Sequence, residues 1–326
     1  MNVLVTGGAG YIGSVTVATL LERGHSVVVL DDLSTGHRGA VPEGVPFVHG
    51  SVADPDMVGY ALAKHAVEAV VHFAAKSLVG ESMNKPTKYF LANTAATFAL
   101  LDAAAAHGVG RFVLSSTAAV YGTPASVPIP ETAELRPESV YGESKLMIER
   151  ALRWLASTTG LASVALRYFN AAGATATHGE DHRPESHLVP LVLQVAAGRR
   201  AEVQVFGGDY ETPDGTAVRD YVHVADLADA HALALETMRP GEARAYNLGS
   251  GSGYSVREVI DVCREVTGHA IPATMAPRRA GDPPRLVADS SLARSELGWS
   301  PRFDDLRTLV ASAWAWHASH PDGYEA

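Results

Sequence analysis

The sequence predicts a doubly wound α/β fold, a parallel sheet covered by helices on both faces, followed by a smaller mixed α/β substrate-binding region. Three observations carry that reading. The first half alternates short β-branched apolar runs with longer helical patterns, the first strand runs into a glycine-rich turn that opens a helix, and the second strand ends in two aspartates.

The strands fall at Asn2–Thr6, Ser26–Leu30, Val45–His49, Ala69–Ala74, Arg111–Ser116 and Ala162–Arg167, each dominated by Val, Leu, Ile, Phe or Ala. Helical patterns fill the gaps at Tyr11–Arg23, Pro55–His65, Pro86–His107 and Tyr141–Ser157. Gly24 and Gly108 stand where a helix end needs a left-handed residue. From about Phe169 the chain turns to longer polar, Pro/Gly-rich loops (Ala171–Pro184, Gly207–Ala217, Met275–Pro284), a texture suited to binding a substrate. The division expected is a Rossmann-type cofactor domain over residues 1–168 and a substrate domain over 169–326. Residues 219–240, with a regular helix at His223–Glu236, should pack back on the first.

Composition narrows the partners. With 326 residues and 47% hydrophobic content the chain buries a core. A net charge of -10 repels a nucleic-acid backbone, yet leaves room for one phosphorylated ligand held by local donors. The single cysteine, Cys263, falls on the apolar side of a helix and reads as a packing residue. Leu91–Ala106, the most apolar stretch, is interrupted by Asn93 and Asp102, so no membrane span is expected. Met1 to Gly8 carry no basic leader, and the location expected is the cytoplasm.

Thr6-Gly7-Gly8-Ala9-Gly10-Tyr11-Ile12-Gly13 supplies three glycines that let the chain turn tightly, admit a pyrophosphate and pack helix on strand. The phosphate charge then meets the positive end of the helix. Asp31, at the end of the second strand, can accept from ribose hydroxyls and repel a 2′-phosphate, which favours NAD over NADP.

Tyr141 and Lys145, at i and i+4, share one helix face. A phenol, with an ordinary pKa of about 10, is a poor base at neutral pH, and a nearby cation favours its phenolate. The strand Arg111–Leu114 runs on into Ser115-Ser116-Thr117, placing hydroxyls at the carboxyl edge of the sheet, where ligands of such folds bind.

Together these residues resemble the extended short-chain dehydrogenase/reductase superfamily. Further segments narrow the likeness: His72-Phe73-Ala74-Ala75, Val79-Gly80-Glu81-Ser82, Val120-Tyr121-Gly122, Arg167-Tyr168-Phe169-Asn170, Val218-Arg219-Asp220-Tyr221-Val222-His223-Val224, Tyr246-Asn247-Leu248-Gly249 and His320-Pro321-Asp322-Gly323-Tyr324. They are similar to the UDP-glucose 4-epimerase family along the whole chain. The resemblance implies C4 inversion of a UDP-hexose, interconverting UDP-galactose and UDP-glucose through NAD-mediated oxidation, rotation of a 4-keto intermediate and reduction.

By the same resemblance Tyr141 is the base, Lys145 tunes it and binds the nicotinamide ribose, and Thr117 takes the family's catalytic Ser/Thr place. The cofactor site would draw on Gly7, Gly10, Tyr11, Ile12, Gly13, Asp31, Phe73, Ala74, Asn93, Ser115, Tyr141, Lys145 and Tyr168. The substrate site would draw on Thr117, Asn170, His187, Leu188, Val205, Phe206, Arg219, Tyr221, Arg279, Asp282 and Leu286, with the arginines on the diphosphate and Asp282 on the uridine ribose. A homodimer through the helices Pro86–His107 and Tyr141–Ser157 is implied, the small residues Ala95, Ala99 and Ala103 permitting close approach.

Two departures matter. The adenine-contacting aspartate of relatives is replaced by Ser51, followed by Asp54. The position limiting room around the sugar's C2 substituent is Leu286, which leaves N-acetylhexosamines and hexuronates open as alternative substrates. Dehydration is disfavoured because Ala118-Ala119 follow Thr117 where dehydratases place an Asp-Glu pair, and an intact Tyr/Lys pair argues against a non-catalytic NAD-binding regulator. The cluster His178, Glu180, Asp181, His182 and His187 is set aside as a metal site, since it lies in a polar loop and the chemistry needs no metal.

Overall fold

The computed structural model describes residues 1–279 and 282–324. Seven parallel strands form the main sheet: β1 (Asn2–Thr6), β2 (Ser26–Asp31), β3 (Phe47–His49), β4 (Ala69–His72), β5 (Arg111–Thr117), β6 (Ala162–Tyr168) and, later in the chain, β11 (Ala243–Leu248). Their order is β11-β6-β5-β4-β1-β2-β3, a doubly wound arrangement. Five of the six predicted strands differ only at one or both ends. β11 is the addition, since the sequence reading left Ala243–Leu248 in the substrate domain, whereas it pairs in parallel with β6.

Because both faces are covered, alternate residues of each strand enter different cores. Val3, Val5, Val27 and Val29 face the layer of α1 (Tyr11–Glu22) and α8 (Val224–Thr237). Leu4, Val28, Leu30, Val70 and Phe112 face α2 (Pro55–Lys64), α5 (Ala96–Ala106) and α6 (Val140–Thr159). Gly24 and Gly108 adopt φ of 79° and 73° at the predicted helix stops. Between β4 and α5 lie α3 (Val79–Asn84) and α4 (Pro86–Tyr89). A π turn over Phe90–Ala95 joins α4 to α5 and carries the buried Asn93.

The run Pro86–Ala106 corrects one expectation: by length and composition it is apolar enough to cross a bilayer. Here it packs against α2 and α6, with 44% of its most apolar window buried.

The remaining elements form the second region. They are β7 (Asn170–Ala172), α7 (Leu188–Ala196), β8 (Val203–Phe206), β9 (Val218–Arg219), β10 (Tyr221–His223), β12 (Tyr254–Ser255), α9 (Val256–Thr267), β13 (Ala273–Ala276), β14 (Arg285–Leu286) and α10 (Leu306–Ser319). A separate core gathers Val192, Leu193, Ile260, Leu309 and the buried Cys263, whose thiol burial pushes up to about 12. α9 begins with a reciprocal cap between Ser255 and Glu258 and ends at left-handed Gly268.

Candidate active site

The carboxyl ends of β1, β2, β4 and β5 converge on the glycine turn. Gly7 adopts φ of 71°, and a Cβ there would lie 2.6 Å from the Ala74 backbone nitrogen, so the turn lies against the end of β4. A Cβ at Gly13 would collide with the Gly7 carbonyl. α1 starts at Gly10 without a side-chain cap, leaving the positive end of the helix facing the turn. These cradles fit a dinucleotide pyrophosphate.

Asp31, 7% exposed, accepts from Ala9 N at 3.0 Å and Leu33 N at 2.8 Å. Burial raises its pKa while these two backbone bonds oppose the rise. The carboxylate is thus held at the end of β2, each oxygen retaining a lone pair for a ribose hydroxyl. Phe73 and Ala74 follow β4, both backbone nitrogens donating to Thr6 O.

Asn93, expected at the cofactor, is held in place by its neighbours. Its Nδ2 donates to Lys76 O at 2.9 Å and Ser144 Oγ at 3.1 Å, and its Oδ1 accepts from Lys76 N at 2.8 Å. The side-chain amide therefore braces the segment after β4 against α6. Ser51 Oγ accepts from Ala53 N and Asp54 caps α2 through Asp56 N and Met57 N, so both groups serve local turns.

α6 delivers the tyrosine and lysine. Ser139 caps it by accepting from Gly142 N, and a Cβ at Gly142 would lie 2.5 Å from Ala119 O. That close approach seats the start of α6 on the segment after β5 and brings Tyr141 to Thr117. Burial pushes the Tyr141 phenol up to about 12, with hydrogen bonding to Thr117 working downward. Lys145, 1% exposed, donates to Ser115 O at 2.8 Å. Burial pushes its ammonium down to about 8, opposed by the Glu149 carboxylate. The shift on Tyr141 comes from burial, opposed by the bond to Thr117. Ser115 Oγ hydrogen-bonds the Tyr168 hydroxyl, joining two expected cofactor residues.

Sequence reasoning missed the support beneath. Glu149 lies one turn beyond Lys145 and accepts from Ser116 Oγ at 2.6 Å and from Arg167 Nη2 at 2.6 Å. Arg167 also donates to Tyr121 OH at 2.9 Å, and Tyr121 OH donates to Asn247 Oδ1. The i, i+4, i+8 spacing of Tyr141, Lys145 and Glu149 was the available signal.

Across the cleft, β9 carries Arg219, which pairs with Asp282. Leu286 of β14 stands opposite Arg219 and packs on the cluster of Ala118, Val120, Tyr121 and Leu146, beside the tyrosine and threonine. Arg279 lies over the Phe206 ring at 4.0 Å, and Arg278 over Tyr210 at 4.2 Å. Tyr210 OH is buried near these charges with no hydrogen-bond partner among the described residues, another feature sequence reasoning did not single out. Asn170 Nδ2 donates to Asp220 O at 2.9 Å. His187 and Leu188 open α7, while Val205 and Tyr221 are buried in the second core.

A concavity of about 620 Å³ lined by Met1, Leu62, Glu68, Arg111 and Pro240 lies at the opposite, amino-terminal edge of the strands. Ligands of doubly wound folds bind outside the carboxyl ends, so it is not this site.

Comparison with known proteins agrees with the geometry. The model of the NAD dependent epimerase/dehydratase family matches residues 3–249. A UDP-glucose 4-epimerase of Corynebacterium glutamicum is 54% identical over 322 residues, covering 99% of this chain and 97% of the relative. A solved UDP-glucose 4-epimerase structure superposes with a TM-score of 0.96 at 49% identity over 100% of both chains. The enzyme of Bifidobacterium longum in complex with NAD+ and UDP superposes with a TM-score of 0.95 at 38% identity, covering 99% of this chain and 100% of that one.

Proposed function

The chain belongs to the NAD dependent epimerase/dehydratase family, and from that premise we propose how its own residues carry out the reaction. The protein is an NAD-dependent UDP-glucose 4-epimerase, interconverting UDP-galactose and UDP-glucose. The observation that carries this reading is the Tyr141–Thr117 pair at the carboxyl end of β5, with Leu286 of the Arg219-bearing sheet packed on the adjoining Ala118 and Leu146.

NAD supplies the acceptor that takes the C4 hydride and returns it to the opposite face of the 4-keto sugar. Tyr141 takes the O4 proton and later returns it, while Thr117 holds the same oxygen by hydrogen bond. With burial pushing it up to about 12, the phenol needs added positive charge to act as a base near neutrality, which bound NAD+ would supply. Lys145 and Ser115 hold the floor of the cofactor site through their 2.8 Å bond.

Arg219 exchanges its bond to Asp282 for the diphosphate, freeing Asp282 for the uridine ribose. Anchoring the nucleotide lets the keto-hexose turn while the binding energy stays remote from C4. Leu286 limits the space around C2. Tyr11, Ile12, Phe73, Ala74 and Tyr168 line the dinucleotide, and Asn170, His187, Leu188, Val205, Phe206, Tyr221 and Arg279 surround the UDP-sugar.

A homodimer fits the outer surface. Leu91 and Trp154 are 62% and 73% exposed on the adjacent helices Pro86–Ala106 and α6, with Phe98 and Met147 exposed beside them. Ala95 and Ala99 are exposed on the same run, which permits close helix approach.

The test is to incubate the purified protein with UDP-galactose and with UDP-N-acetylgalactosamine, adding no NAD, and to follow each 4-epimer by chromatography. Conversion of the first is expected. Conversion of neither, even with NAD supplied, overturns the reading.

A further inference from the structure

The segment Glu180–His187 folds four side chains onto one point. Glu180, His182, Glu185 and His187 each offer one ligand atom, and these four atoms lie within 4.8 Å of one another. The set differs from the cluster visible in the sequence. His178 turns away to Ala40 O and Asp181 pairs with His37 and Arg183, while Glu185, which sequence reasoning passed over, swings in. We propose that Glu180, His182, Glu185 and His187 form a structural site for a borderline divalent cation of the zinc class, separate from the hydride chemistry.

The first argument is convergence. Both imidazoles aim Nδ1 at the same oxygen of Glu180, His182 from 3.0 Å and His187 in a short contact. The distances from Glu185 to the same two nitrogens are 4.0 and 3.7 Å. A tetrahedral site with bonds of about 2.0–2.1 Å has ligand-to-ligand edges of roughly 3.4 Å. The values of 3.0, 3.7 and 4.0 Å, the last two to different oxygens of Glu185, fall around that edge within a set spanning up to 4.8 Å, so shifts of about 1 Å would centre an ion among the four groups.

The second argument is charge. The Glu180 and Glu185 side chains are only 4% and 5% exposed, and among the described residues neither pairs with a lysine or arginine. Two desolvated carboxylates side by side call for local positive charge, which the adjoining His182 and His187 rings supply when protonated and a divalent ion would supply in their place. A divalent ion bound by two carboxylates and two neutral imidazoles gives a site of zero net charge. On binding, each imidazolium releases its Nδ1 proton to solvent and keeps its Nε2 proton, so a neutral imidazole gives the Nδ1 lone pair to the metal.

Donor chemistry and surroundings select the ion class and role. Two nitrogens and two carboxylate oxygens in a tight set suit zinc or cobalt better than magnesium or calcium, which take larger oxygen shells. Four protein ligands leave no open position, so the ion would organise structure. Ser186 N and His187 N both donate to Glu185 Oε1, orienting that carboxylate from behind. The segment ends at His187, the residue preceding α7, and His182 meets the Tyr11 ring edge-on at 6.3 Å. The ion therefore ties the entry to α7 against the helix that follows the glycine turn.

The experiment titrates cobalt(II) alone into the full-length, NAD-loaded protein after chelator treatment, reading visible absorption and calorimetric stoichiometry. The expected result is one ion per chain with the intense visible band of a four-coordinate centre, displaced by zinc. Glu180→Gln and His182→Asn should each weaken binding by roughly 100-fold, with retained NAD and an unchanged circular dichroism spectrum showing that the variants fold. Absence of uptake at about 0.1 mM free metal overturns the proposal. So does uptake unaffected by both variants, or only the weak band of a six-coordinate surface ion.

Discussion

Lys145 Nζ donates a hydrogen bond to the carbonyl oxygen of Ser115 at 2.8 Å, which ties the lysine of α6 to the end of β5. The helix thus presents two groups at one spacing that do different work. The phenol meets Thr117, and the ammonium keeps two further N–H donors beyond its bond to Ser115.

Tyr141→Phe removes the hydroxyl that exchanges the O4 proton and leaves the ring packing in place. Turnover of UDP-galactose should fall by roughly 10²–10⁴-fold, while NAD released on denaturation stays equimolar with protein. Loss of NAD together with activity would assign the hydroxyl to cofactor binding.

Lys145→Met tests the buried ammonium through pH. The folded value of about 8 lies below the ordinary 10.5, so between these values the unfolded chain binds more protons than the folded one. Stability from this group therefore rises with pH across that window and is lowest below about 8. Relative to wild type, the variant should look best below pH 8 and lose roughly 1–3 kcal/mol of that advantage by pH 10.5, measured as urea midpoints. A pH-independent difference would contradict the assignment.

Glu149→Gln strips the partner from Arg167, leaving a buried guanidinium without its counter-charge, at a cost of roughly 3–5 kcal/mol. Replacing both residues by leucine should cost less than either single change. Urea denaturation of Glu149→Leu, Arg167→Leu and the double variant gives the coupling directly.

Tyr210→Phe deletes a hydroxyl that is buried with no hydrogen-bond partner among the described residues. The ligand-free variant should gain about 1 kcal/mol, because the unsatisfied group no longer has to be desolvated, while Arg278 keeps a ring to stack on. A lower thermal midpoint would reveal a partner for the hydroxyl in solution.

Trp154→Glu places a charge on the exposed apolar strip formed with Leu91, Phe98 and Met147. Light scattering should show a shift from dimer to monomer with NAD retained. An unchanged mass would move the interface elsewhere or leave the chain monomeric.

Most of the main sheet was legible because each strand carries its own apolar run and each helix its own stop. β11 was not, since Ala243-Arg244-Ala245-Tyr246-Asn247-Leu248 mixes charge and amide with apolar groups and reads as edge or loop. It joins the sheet because β6 offers a free edge and Tyr246 and Leu248 enter the core. Asn93 illustrates the opposite limit. Its position was identified, but the π turn around it sends the amide to Lys76 and Ser144, which no local spacing announces.

The sequence by itself determined the order of strand, glycine turn and helix, the acid at the end of β2, and the Tyr141/Lys145 spacing, because each depends on chemistry within a few residues. Tertiary structure alone decided that Arg219 meets Asp282, that Glu149 neutralises Arg167, and that Glu185 rather than His178 joins Glu180 and the two histidines. Those outcomes depend on which segments close together and what they desolvate. A buried charge takes whichever partner the packed core brings within reach, and local spacing carries no record of that choice.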